Sequence, residues 1–141
     1  YGPDETFPIG GSKTLRQSAS DVCVVVAAGI TLHEAIKAAD QLQSEGIAIR
    51  VVDAYSVKPI DADGLRAAAQ AGQNRVIVVE DHWIEGGLGD AVLEVFAESG
   101  SVRVRKLAVC ELPHSGKPEE LLDLYGLSAR KIAQAVRAFC K

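Results

Sequence analysis

The stretch EDHWIEGGLGD, Glu80 to Asp90, sets carboxylates, an imidazole and three glycines directly behind an apolar run. Three chemistries suit such residues. A carboxylate beside an imidazole can exchange protons. Carboxylates and imidazoles converging from several loops can hold a divalent cation. Glycines that open a helix can cradle an anion on backbone amides. Asp53, Glu111 and His114 stand in comparable places after other apolar runs. With Glu80, Asp81 and His82 they form the candidate set for a pocket that takes a small ligand or a cation.

Local spacing supports none of these chemistries strongly. His33, His82 and His114 show no HExxH or Cys/His pattern, so a metal would need ligands gathered from separate loops. His114-Ser115-Gly116 lacks the GxSxG elbow that exposes a serine nucleophile. Gly116-Lys117-Pro118 places proline where a Walker loop needs Ser or Thr. Gly87-Leu88-Gly89 departs from the dinucleotide fingerprint, with Val92 at its sixth position and acidic Glu85 and Asp90 beside it. The simpler reading gives these glycines positive φ and close helix-to-sheet packing.

The elements that must position the candidates are legible from periodicity. Residues 1–20 read as an incoming linker with a short edge strand around Ser12–Arg16, and residues 21–141 as one domain. Val22 to Ala27 is a β-branched run suited to a strand covered on both faces. Thr31-Leu32-His33-Glu34 reads as a capping box, followed by the apolar face Leu32, Ala35, Ile36, Ala39 and Leu42 and a stop at Gly46. A strand at Ile47–Val52 leads to Asp61 as N-cap of a helix over Ala62–Ala71. Gly72 ends that helix, and a strand at Arg75–Val79 follows. A third helix carries Leu88, Ala91, Val92, Val95 and Phe96, before a strand at Val102–Val109. The last two helices open at Pro118 and at Ser128, the second with Leu127 and Ile132 as a hydrophobic staple.

This alternation predicts a three-layer α/β/α fold with a mainly parallel sheet of about five strands, one edge strand antiparallel. Ligands of such sheets favour the carboxyl ends of the strands, where all the candidates fall. A formal charge of −4 without basic clusters offers no footprint for nucleic acid or an anionic membrane. The longest apolar run, Val22 to Ile30, is too short to cross a bilayer. Cys23, Cys110 and Cys140 read as buried, reduced thiols of a cytoplasmic protein. The lack of methionine and the start at Tyr1 suggest a segment of a longer polypeptide.

AAGITLHEA (27–35), VVDAYSVKPID (51–61), VIVVEDHWIEGGLGDAV (76–92) and HSGKPEELLDLYGL (114–127) together resemble the C-terminal domain of transketolases. The resemblance runs from about Phe7 to the end, and SGKPEELL favours transketolase over its relatives. It implies a parent transferase that moves a two-carbon ketol unit between sugar phosphates of the pentose phosphate pathway. Thiamine diphosphate serves as electron sink, with a divalent cation, Mg or Ca, in a homodimer. The diphosphate- and pyrimidine-binding domains would hold the cofactor. No catalytic, cofactor-binding or metal-ligating residue carries over to these positions, and none of these groups is expected to bind this chain alone. The chain is therefore expected to be inactive by itself and to support the dimer and the pyrimidine-binding domain. The alternatives are a regulatory module that binds a small ligand at the six candidates, or the last domain of a 1-deoxyxylulose-5-phosphate synthase or 2-oxoacid dehydrogenase β subunit docking a partner.

Overall fold

The computed structural model describes residues Tyr1 to Lys141 throughout. Its elements are β1 (Lys13–Arg16), β2 (Val24–Ala27), α1 (Ile30–Ser44), β3 (Arg50–Asp53), α2 (Ala62–Ala71), β4 (Arg75–Trp83), α3 (Leu88–Val95), β5 (Arg103–Val109), α4 (Pro118–Leu124) and α5 (Ala129–Phe139). The sheet order is β1-β3-β2-β4-β5, with β2 to β5 parallel and β1 antiparallel along β3. No helix is long and apolar enough to cross a membrane.

Side chains alternate across a strand, and here the alternation sorts valines into two cores. Val25, Val51, Ile77 and Val79 face α1 and α5, where Leu42, Ile132 and Val136 are fully buried. Val24, Val26, Val52, Val76 and Val78 face the other layer, against Leu65, Val92 and Phe96. Strand β2 is buried along its whole length, as its unbroken apolar run requires.

The expected α/β/α fold and its antiparallel edge strand are present. Asp61 caps α2 by accepting from Gly64 N at 2.9 Å, and Ser128 caps α5 by accepting from Lys131 N at 3.4 Å. Gly46 and Gly126 turn the chain after α1 and α4 with φ of 79° and 80°.

Three local expectations need correction. The capping box does not form: Gly29, with φ 59°, holds the N-cap position of α1, and Thr31 lies inside the first turn. Fully buried there, the Thr31 hydroxyl reaches the carbonyl oxygens of Val79 at 2.8 Å and Ala28 at 2.9 Å, tying the helix start to β4. Glu34 turns instead to α5, accepting from Ala129 N at 2.8 Å. Strand β4 continues past Val79 to Trp83, because its far end pairs with Val109 beyond an irregularity in the ladder. Finally, only Cys23 is buried; Cys140 is half-buried and Cys110 is exposed, all as free thiols.

Candidate functional site

The parallel strands end along one edge, and all six candidates stand on it, but the sheet divides them. Asp53, the last residue of β3, is buried and accepts a hydrogen bond from the Tyr1 hydroxyl. Tyr1 packs edge-on against Phe7 at 4.9 Å, and Phe7 edge-on against Tyr55 at 5.0 Å. The Lys13 ammonium sits 4.2 Å from the Phe7 ring centre, a cation–π contact that closes this cluster over the edge strand.

Glu80 continues the face of Val76 and Val78 and points into the layer that holds α3. It is 4% exposed. Its Oε1 accepts from Gly89 N at 3.1 Å, satisfying one of the backbone amides that the first turn of α3 leaves without an intrahelical partner. Its Oε2 is buried without a hydrogen-bond partner. Gly87 passes so close to Glu80 Oε2 and His82 Nδ1 that a Cβ there would overlap both atoms. That close approach, not a phosphate cradle, is what this glycine serves. His82 itself is exposed, with Nδ1 2.6 Å from the Trp83 carbonyl oxygen.

The turn into α3 is held by Asp90, which accepts from Gly86 N and from Lys106 Nζ, each at 2.6 Å. Lys106 chiefly, and then Gly86 N, hold the Asp90 carboxyl below its ordinary value. Lys106 also reaches the carbonyl of Ile84. Nothing in local spacing announces this bridge, since Lys106 belongs to another strand.

Asp81 points to the opposite face, with Val79. Together with His114 it lines a cleft of about 280 Å³ whose walls include Ile30, Val109, Leu121 and Tyr125. The His114 backbone N–H donates to the Tyr125 hydroxyl at 2.8 Å, which fixes one wall. Glu111 is exposed in the loop after β5 and lies outside this cleft. The structure thus puts Glu80 and His82 on the side of α3 and Asp81 and His114 in the cleft on the other side, and leaves Asp53 and Glu111 apart. No three His, Cys, Asp or Glu side chains converge in a metal-holding group.

The family described as "Transketolase, C-terminal domain" matches residues 11–132. Transketolase-like protein 2 of Mus musculus is 49% identical over 137 residues, which are 97% of this chain and 22% of that protein. Transketolase of Homo sapiens is 43% identical over 137 residues, again 97% of this chain and 22% of its own length. A solved structure described as a split gene transketolase, an inactive β4 tetramer, superposes with a TM-score of 0.91 at 38% identity. That match covers 99% of this chain and 45% of the other. Transketolase of Campylobacter jejuni shares the fold at a TM-score of 0.71 and 16% identity, over 98% of this chain and 20% of its own. The chain thus spans about a fifth of the length of the curated relatives it matches, and it belongs to the transketolase C-terminal domain family.

Proposed function

We propose that this chain serves a transketolase as a noncatalytic domain that packs against the diphosphate- and pyrimidine-binding domains and supports the dimer. The whole enzyme transfers a two-carbon ketol unit between sugar phosphates of the pentose phosphate pathway, in the cytoplasm. Thiamine diphosphate and a divalent cation, held by the other domains, supply the carbanion chemistry there. One observation carries this reading. At the carboxyl edge, buried Asp53 and one oxygen of buried Glu80 are engaged by groups of this chain, whereas Ile30, Trp83 and Leu112, which end or follow β2, β4 and β5, are exposed. Exposed apolar residues along one edge favour a packing surface over a reacting site.

Calorimetry tests it: the 141-residue chain gives no binding heat with thiamine diphosphate and Mg²⁺ and transfers no ketol unit. A polypeptide carrying the two other domains binds it and gains activity. Saturable cofactor binding by this chain alone overturns the reading.

The cleft that holds Asp81 and His114 favours a second reading, a regulatory site for a small ligand. Titration of the chain with nucleotides, sugar phosphates and divalent cations, each compared with His114→Ala, decides it. Heat that disappears in the variant supports the site, and no heat with any of them removes it.

A further inference from the structure

The amino ends of the strands hold a second group of reactive side chains, far from the edge described above. Register pairs Val24 with Val76, and Arg75 with Arg103. Cys23 precedes Val24, so Cys23, Arg75 and Arg103 stand side by side across β2, β4 and β5. Neighbours paired in parallel strands point to the same face. That face is the one covered by α5: the Arg103 guanidinium lies 4.7 Å from the Phe139 ring centre, and Phe139 and Cys140 pack against the core cluster that contains Cys23. Cys140 Sγ donates to the Val22 carbonyl oxygen at 3.7 Å, which places it beside Cys23, the next residue of the chain.

The two sulfurs differ in a way that assigns them roles. Cys23 is fully buried, whereas Cys140, at the end of α5, is half-buried. The neighbouring Cys23 thiol pulls the Cys140 thiol down to about 7, against the opposing effect of burial, with help from the charges of Arg75 and Arg103. The Cys23 thiol is pushed up by its Cys140 neighbour and by burial. Arg75 bonds to Gln73 Oε1 at 2.8 Å, a neutral partner that leaves its charge free to act on the sulfur. A partly exposed thiolate near cations and next to a second thiol is the arrangement peroxides oxidise.

We propose that Cys140 is a site of oxidation by peroxide and that Cys23 resolves it into an intramolecular disulfide. In the first step the Cys140 thiolate attacks one oxygen of hydrogen peroxide. The O–O bond breaks, hydroxide leaves and takes up a proton, and Cys140 becomes a sulfenic acid, oxidised by two electrons. In the second step Cys23 gives up its proton and attacks Cys140 Sγ; the S–O bond breaks and water leaves. Two thiols and one peroxide yield one disulfide and two waters. The bond ties the lead-in to β2 to the end of α5, and a thiol reductant reverses it. Cys110 cannot take part, because it follows the far end of β5, about 20 Å along the strand from Arg103.

The test oxidises the full chain with one equivalent of hydrogen peroxide, followed by peptide mapping under non-reducing conditions. The expected product is a Cys23–Cys140 linked peptide that dithiothreitol reverses, with Cys110 still free. In Cys23→Ser the sulfenic acid persists at Cys140 and is trapped by dimedone, whereas the parent chain yields little adduct. In Arg75→Gln/Arg103→Gln the first step at pH 7 slows by up to about threefold, as the thiolate fraction falls and its nucleophilicity partly compensates. Oxidation of Cys110 ahead of Cys140, or sulfinic acid at Cys140 with Cys23 still a free thiol, overturns the proposal. The map on the parent chain decides the matter even where Cys23→Ser does not fold.

Discussion

Removing the Glu34 carboxylate detaches the start of α5 from α1. Glu34 is 8% exposed, and its Oε2 accepts from the half-buried Ala129 N at 2.8 Å while its Oε1 pairs with Lys37 Nζ at 2.7 Å. A hydrogen bond to a charged group contributes about 1.5–3 kcal/mol. The Lys37 side chain is 67% exposed, so that ion pair adds under about 0.5 kcal/mol. Glu34→Ala should therefore cost about 2 kcal/mol and Lys37→Ala less than about 0.5 kcal/mol. For a domain of this size the first figure lowers the thermal midpoint by about 6–8 °C. Urea unfolding followed by far-UV circular dichroism on both variants and their double mutant measures the terms separately. The pH dependence adds a check. Burial pushes the Glu34 carboxyl up, but the hydrogen bonds from Lys37 and Ala129 outweigh it and hold the group below its ordinary 4.5. With its folded value depressed, the contribution is complete above the unfolded value and is lost as pH falls through the lower folded one. The gap between the parent and Glu34→Gln should close in that acid window and stay constant above it. Equal losses for Glu34→Ala and Lys37→Ala, or a gap independent of acid, refute the assignment.

Asp61→Ala loses the acceptor for Gly64 N and for the Ser12 hydroxyl at 2.7 Å, and should cost about 1 kcal/mol, with Asp61→Asn nearer the parent; urea midpoints check this. Gly72→Ala places a Cβ 2.6 Å from Val24 Cγ2 and 2.9 Å from backbone atoms of Cys23 and Val24. The central strand must shift, so a loss of about 1–3 kcal/mol is expected by the same assay. Ile132→Ala empties a fully buried position in the α1–α5 layer and should lose about 2–5 kcal/mol, seen as a lower thermal midpoint.

The domain's architecture was legible because its signals are local. The valine runs of β2 and β4, the caps Asp61 and Ser128, and the turn glycines Gly46 and Gly126 each act within a few residues of themselves. The capping box failed for a reason that lies outside its own window. Thr31 and Glu34 have the right spacing, but Thr31 is drawn under β4 by the Val79 carbonyl and Glu34 is drawn to Ala129, 95 positions away. Both residues still satisfy backbone groups at helix starts or strand ends. What spacing could not tell was whose groups they satisfy, since that is set by the packing of α1 between the sheet and α5.

The candidate site shows the same limit more sharply. Apolar residues stop at Val79, so a hydrophobic pattern ends the strand there, yet a ladder needs only backbone groups, and Ile84 N still bonds to Val109 O at 3.1 Å. Once β4 extends to Trp83, its alternation continues through the charged residues. Glu80 and His82 go to the α3 side and Asp81 to the cleft beside α1 and α4, with the sheet between them. Three neighbours that read as one acid–base cluster therefore occupy two environments. The rule that ligands bind at the carboxyl edge names an edge but not a face. For this chain the face decides the chemistry: Glu80 is buried against the amides of α3, and only Asp81 meets His114 in an open cleft.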